Sequence, residues 1–174
     1  MRGLIHIYEG DGKGKTTCGV GLSVRFAGNG GKVLYAQFLK DNQSSELAAL
    51  EKIPGITLLL PDRFFGFSWT MTEEQKAEAK AYYTTYLDQV LEEALSKQAG
   101  LLVLDEIVGA YAKGFIDRDR LLTFLKNKPE ELEVVMTGRH PSPELCEMAD
   151  YISCIEKKKH PFDRGIPARK GIEK

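Results

Sequence analysis

The chain has no long hydrophobic run, few cysteines and almost no net charge, and each shortage removes a class of protein. No apolar stretch approaches the roughly 20 residues needed to span a bilayer, and the N-terminus carries no signal-peptide pattern, so a membrane or exported protein is not expected. The three cysteines, Cys18, Cys146 and Cys154, form no Cys-x-x-Cys pair. Reduced thiols in a cytosolic protein are the simple reading. With 24 Lys and Arg against 25 Asp and Glu, the formal net charge is −1, which advertises neither a nucleic-acid surface nor a polyanion partner. Repeats and low-complexity segments are missing too. So are a Ser-His-Asp or Cys-His arrangement and the arginine-rich lid that small-molecule kinases often carry. What remains is a soluble chain whose 174 residues suit one domain over positions 1–174, large enough to bury roughly 70% of its unfolded surface.

What is present is a regular alternation of short apolar runs with helical patterns. Buried strands are predicted at Leu4–Tyr8, Val33–Leu39, Thr57–Leu60, Leu101–Leu104, Glu133–Thr137 and Tyr151–Ile155. Their near-continuous hydrophobicity suits a parallel sheet covered on both faces. Helices are predicted from Lys15 to about Gly28, Ser44 to Lys52, Thr72 to Gln98, Arg118 to Lys126 and Pro143 to Met148. The third of these opens on a Thr72–Gln75 capping box and ends before Gly100, placed as a C-cap glycine would be. Turns are expected at Asn29-Gly30-Gly31 and Pro54-Gly55. A ligand site in such an α/β chain lies at the carboxyl ends of the strands. The stretch Pro61–Met71, rich in aromatics, reads as an ordered loop. The basic segment from Lys157 onward is irregular and reads either as disordered or, since Phe162, Ile166 and Ile172 give it side chains with which to pack, as ordered against the body.

The strongest chemical signal follows the first strand: Glu9-Gly10-Asp11-Gly12-Lys13-Gly14-Lys15-Thr16-Thr17. Glycines without side chains let backbone N–H groups turn toward an anion, and the helix N-terminus behind them adds roughly half a positive charge. Lys15 can reach phosphates, and the Thr16 hydroxyl suits a Mg²⁺ ion riding on them. The usual pattern has a glycine five positions before Gly14. Here that position is Glu9 and the glycine is Gly10, so the loop is one residue short.

A second signal is Leu101-Leu102-Val103-Leu104-Asp105-Glu106, a strand delivering two carboxylates to the sheet edge, where a nucleotide's metal ion can be held. The alternative for that pair is a helix start, where the dipole favours acidic residues. Arg139, after the strand ending at Thr137, projects from the same edge, where its planar fork suits phosphate oxygens; a solvated loop arginine is the alternative. Lys13 lies inside the loop and faces either the nucleotide or solvent. Phe67 and Trp69 read either as hydrophobic staples of their loop or as an apolar platform for a large flat ligand. His6 reads as structural, and His140 and His160 lack metal-site spacing. Arg25 and the run Lys157-Lys158-Lys159 read as surface, and Cys18 as packing.

Together these residues resemble the ATP:corrinoid adenosyltransferases of the CobA/CobO/BtuR type, nearly from end to end. The resemblance is carried by Gly10–Thr17, Gln37-Phe38-Leu39-Lys40, Glu46, Gly66-Phe67-Ser68-Trp69, Leu104-Asp105-Glu106, Thr137-Gly138-Arg139, Ala149-Asp150, Lys159-His160 with Phe162, and Gly171-Ile172-Glu173. Departures fall at Arg169, where the family usually has Gln after Ala, and at Asp41-Asn42-Gln43, which replaces a more glycine-rich turn.

The resemblance implies a RecA-like P-loop fold and a cytoplasmic homodimer that binds ATP and a corrinoid with Mg²⁺ (or Mn²⁺). It leaves room for an electron-donating reductase or flavoprotein. It implies nucleotide binding by Gly10, Asp11, Gly12, Lys13, Gly14, Lys15, Thr16, Thr17 and Arg139, and metal binding by Thr16, Asp105 and Glu106. Lys15 and Arg139 would act on the triphosphate, while Phe67 and Trp69 would press on the corrinoid's lower face. Two other classes stay in view, an ATP-binding regulatory protein without adenosyl transfer and a P-loop small-molecule kinase. They are separated by product: triphosphate, none, or ADP.

Overall fold

A computed structural model describes residues 2–66 and 68–173. The elements run β1 (Ile5–Glu9), α1 (Lys15–Gly28), β2 (Val33–Gln37), α2 (Leu47–Leu50), β3 (Ile56–Leu59), α3 (Glu73–Ser96), β4 (Leu101–Asp105), α4 (Ile107–Ala112), α5 (Arg118–Asn127), β5 (Glu133–Thr137), α6 (Pro143–Met148) and β6 (Tyr151–Cys154). Short 3₁₀ turns occupy Ser68–Thr70 and Pro161–Arg164. The six strands form one sheet in the order β3-β2-β4-β5-β1-β6, every pairing parallel. The chain leaves β1 and returns at β2 beyond β5 and β4. The loop after β1 therefore opens at a crossover, where the carboxyl ends of β1, β2, β4 and β5 converge.

The continuous apolar runs of β2 and β4 have a direct cause, because both faces of the sheet are covered. On one face Leu34, Ala36, Leu102, Leu104, Val134 and Met136 pack against α3, α4, α5 and α6. On the other, Val33, Tyr35, Leu101, Val103 and Val135 meet Ala27 of α1 and Leu47 and Leu50 of α2. Period-two alternation then separates one buried layer from another instead of separating core from solvent.

Several sequence expectations are corrected. Strand β2 ends at Gln37, because Leu39 adopts φ 57° and turns the chain back across the strand end. Helix α2 is a single turn, shorter than the predicted span. The capping box at Thr72 and Gln75 is present, but α3 stops at Ser96 and its left-handed residue is Gln98, not Gly100. Gly100 instead donates its N–H to Lys32 O and lies against the Phe26 ring. Helix α4 has no counterpart among the predicted helices. It begins because Glu106 takes φ 62° immediately after β4.

Strand β6 is the exposed edge of the sheet, not a buried strand, with Tyr151 51% and Ile152 48% accessible. The basic segment does not bury its apolar side chains, since Phe162, Ile166 and Ile172 are all exposed. Cys18 is exposed as well, so packing does not account for it. His6 is structural as expected: it pairs with Glu133 and stacks on Tyr151 at 4.6 Å. No helix among the described residues is long and apolar enough to cross a membrane.

Candidate nucleotide and metal site

The loop between β1 and α1 is held from behind by the segment after β6. Gly12 N–H donates to Ile155 O at 2.7 Å, and the Asp11 carboxylate accepts from the Lys157 N–H at 3.0 Å. A Cβ on Gly10 would lie 2.4 Å from Ile155 O and one on Gly12 2.6 Å from it. Gly10 and Gly12 therefore serve close backbone approach to the C-terminal segment. Lys15 is buried and folds over the loop, its ammonium donating to Gly12 O at 2.8 Å. Burial, together with the nearby Arg139 guanidinium, lowers the pKa of Lys15 against the opposing pull of Glu106, Asp11 and Glu9. No acidic residue occupies the first turn of α1, which leaves its positive end uncompensated by its own side chains.

The carboxylates arrive from β4. Asp105 is fully buried, and its Oδ1 accepts from the hydroxyls of Thr16 at 2.9 Å and Thr137 at 2.7 Å. Thr137 Oγ1 in turn accepts the Glu106 N–H at 2.9 Å, fixing the left-handed turn at the strand end. The other oxygen, Oδ2, faces the Lys40 ammonium at 2.5 Å, which also reaches Thr16 Oγ1 at 3.2 Å. Burial, then the neighbouring Asp105 charge, raises the Glu106 pKa, with Lys40, Lys15 and Arg139 opposing. The oxygen donors of Thr16, Asp105 and Glu106 match a hard divalent cation. Among the described residues no three His, Cys, Asp or Glu side chains are grouped to cage a metal alone. The donor set therefore fits Mg²⁺, which is commonly held by one or two carboxylates and completed by water and substrate phosphates.

Thus Gly10–Thr17, Asp105, Glu106 and Arg139 share one end of the sheet. Arg139 is exposed, follows Gly138 at φ 147°, and lines a cavity of about 450 Å³ with Asp11, Lys157, His160, Phe162 and Asp163. Lys13 is exposed. With Thr16, Thr17, Lys40, Glu46 and Ile172 it lines a larger cavity of about 640 Å³ beside the loop. Trp69 lies apart in the Ser68–Thr70 turn and is 75% exposed. Phe67 lies outside the described residues. The loop carrying Trp69 is tied down by Asn42 Nδ2 donating to Pro61 O at 2.5 Å and by the Asp62 N–H donating to Tyr82 Oη at 2.9 Å.

Gln37, Lys40 and Thr137 carry site geometry that residue-by-residue reading did not assign. The available signal was polar residues at the ends of apolar strands. Only folding reveals that three different strand ends meet on Asp105.

A glycine-rich loop leading into a helix, beside a strand-end aspartate on an all-parallel sheet, defines a P-loop nucleotide-binding protein. The sheet order and flanking helices are consistent with a RecA-like fold. The chain is similar to a KaiC-like protein from Pyrococcus horikoshii at TM-score 0.59 and 15% identity, covering 91% of this chain and 75% of that one. It is similar also to the ATPase 2 and 3 portion of EssC from Geobacillus thermodenitrificans at TM-score 0.50 and 17% identity, covering 98% of this chain but only 36% of that one. These likenesses speak to fold alone.

The profile of the family described as ATP:corrinoid adenosyltransferase BtuR/CobO/CobP matches residues 1–173, and the chain belongs to that family. A corrinoid adenosyltransferase from Pseudomonas aeruginosa is 34% identical over 174 residues, 99% of this chain and 84% of that protein.

Proposed function

We propose that this protein transfers the 5′-deoxyadenosyl group of ATP to the Co(I) centre of a corrinoid and releases inorganic triphosphate. The observation that carries the reading is the short loop Gly10–Thr17, with Lys15 folded onto it and Asp105, Glu106 and Arg139 gathered at its open side. The nucleophile belongs to the corrinoid substrate: the cobalt electron pair forms the Co–C5′ bond while the C5′–O bond breaks toward triphosphate. The protein's task is then to position the two substrates and to stabilise the developing charge on the leaving group.

Backbone amides of Gly10–Thr17 other than Gly12, whose N–H is taken by Ile155 O, supply that stabilisation with the N-terminus of α1, Lys15 and Arg139, and with Lys13 at the rim. The nucleotide lies in reversed sense on the shortened loop, so that C5′ faces the corrinoid. The cavity beside Thr16 and Thr17 takes the rest of the nucleotide. Thr16, Asp105 and Glu106 would hold Mg²⁺ (or Mn²⁺), which when bound supplies positive charge to the triphosphate oxygens. Trp69 and Phe67 press on the lower corrinoid face and exclude its axial ligand. The exposure of Trp69 supports that part, because most of its surface faces outward, where a large flat ligand can reach it. The same reading includes a cytoplasmic homodimer supplied with electrons by a reductase or flavoprotein.

The test is anaerobic incubation of the protein with MgATP and chemically reduced cob(I)alamin, followed by assay of adenosylcobalamin and triphosphate together. Equal yields of both are expected. ADP would indicate a kinase, and ATP binding without a cobalt–carbon product would indicate a regulatory role.

A further inference from the structure

We infer that Lys40 is a resident cation of the metal position. In the nucleotide-free protein its ammonium holds Thr16 and Asp105 ready for a divalent ion, and it moves onto the triphosphate when the metal–nucleotide complex enters. This rests on the reading of Thr16 and Asp105 as the metal end of the site.

The Lys40 ammonium touches Asp105 Oδ2 at 2.5 Å and Thr16 Oγ1 at 3.2 Å, while Thr16 and Asp105 are themselves hydrogen-bonded at 2.9 Å. Mg²⁺ approaches oxygen ligands at about 2.0–2.1 Å, so a metal on these oxygens competes with the ammonium for space as well as charge. The backbone around Lys40 is pinned. Phe38 N–H donates to Asp105 O at 2.8 Å, Leu39 and Asn42 have φ 57° and 60°, and Asn42 holds Pro61 O. A change of side-chain rotamer is then enough to move the ammonium.

A second carboxylate, Glu46, has Oε1 4.0 Å from the ammonium, and both residues line the 640 Å³ cavity beside the loop. A retracted Lys40 therefore keeps a partner while facing the nucleotide.

A second observation lies beneath Asp105. Gln37 is fully buried, its Nε2 stands at the long distance of 3.5 Å from Asp105 Oδ2, and its Oε1 has no hydrogen-bond partner among the described residues. When Lys40 gives way to the metal, the Gln37 Nε2–H is the donor placed to shorten its contact with Asp105 Oδ2 and hold the carboxylate.

The experiment compares wild type with Lys40→Met and Lys40→Gln, each checked for a cooperative melt. Mn²⁺ titration of nucleotide-free protein, followed by electron paramagnetic resonance, should show binding about tenfold tighter in the variants, because a competing like charge is gone. Calorimetry should show the opposite sign for MgATP, about tenfold weaker, while ATP with EDTA changes less than about threefold because Lys40 then stays on Asp105. Mn²⁺ affinity unchanged or weakened in both variants would overturn the inference. So would equal loss of ATP affinity with and without metal, the signature of a fixed phosphate ligand. An ATP affinity that no divalent ion alters, in wild type or in Asp105→Asn, would overturn the underlying metal assignment too, and is a different pattern.

Discussion

Replacing Gly12 with alanine tests how the phosphate loop is supported. The added Cβ would stand 2.6 Å from Ile155 O, 2.8 Å from Glu156 C and 2.9 Å from Glu156 O, all backbone atoms without a rotamer to yield. Restoring an ordinary contact near 3.4 Å requires a retreat of about 0.8 Å. That would stretch the 2.7 Å bond from Gly12 N–H to Ile155 O to about 3.5 Å, beyond useful hydrogen-bond length.

The overpacking costs about 1–3 kcal/mol and the lost hydrogen bond about 0.5–1.5 kcal/mol. A destabilisation of roughly 2–4 kcal/mol follows, which for a chain of this size lowers Tm by about 5–15 °C. Urea unfolding at neutral pH, with ATP affinity measured in parallel, is the assay. Both quantities should fall, since the segment that braces the loop is the part displaced. A variant within about 0.5 kcal/mol of wild type with unaltered ATP affinity would refute the claim that Gly12 is required by the C-terminal segment.

Gly21 offers the reverse case. It sits exposed inside α1, and a Cβ added there would meet nothing within 4 Å, so Gly21→Ala should stabilise by about 0.5–1 kcal/mol in the same urea assay. Trp69→Ala should leave ATP affinity and stability near wild type, the latter within about 0.5 kcal/mol, yet slow adenosylation starting from Co(II) corrinoid. An unchanged rate would end the platform role. Burial pushes the Tyr83 hydroxyl up to about 12 and raises Tyr35 and Tyr86 as well. Because the folded values are raised, this stabilisation is complete below the ordinary tyrosine pKa of about 10 and is lost as pH climbs through the folded values. Absorbance titration should therefore show these three of the seven tyrosines ionising only with base unfolding; all seven titrating together near the ordinary value would contradict the packing.

The parallel sheet was legible because burial on both faces leaves a local trace, the unbroken runs of β2 and β4. Helix α3 was legible from its capping box and apolar spacing. Legibility ended where the decisive fact was a backbone turn or a neighbour remote in sequence. Asp105-Glu106 reads as a metal-holding strand end or as a helix start, and only the left-handed φ of Glu106 shows that α4 begins there. Tyr151–Ile155 has strand composition, but nothing local says that it forms the sheet edge. Gly100 has the position of a cap and the role of a packing residue beneath Phe26.

The sequence by itself determined the chemistry available to this protein. Glycines, Lys15 and Thr16 at a strand-to-helix junction can hardly serve anything but an anion, because backbone amides and a helix dipole act over a few ångströms of contiguous chain. Tertiary structure alone decided that Lys40 and Thr137 converge with Thr16 on Asp105, and that the segment after β6 braces Asp11 and Gly12. Those contacts join residues 24 to 146 positions apart. Hydrogen bonds and ion pairs of a few ångströms leave no periodic signature when their partners come from separate strands. They exist only once the sheet order has brought those strand ends together.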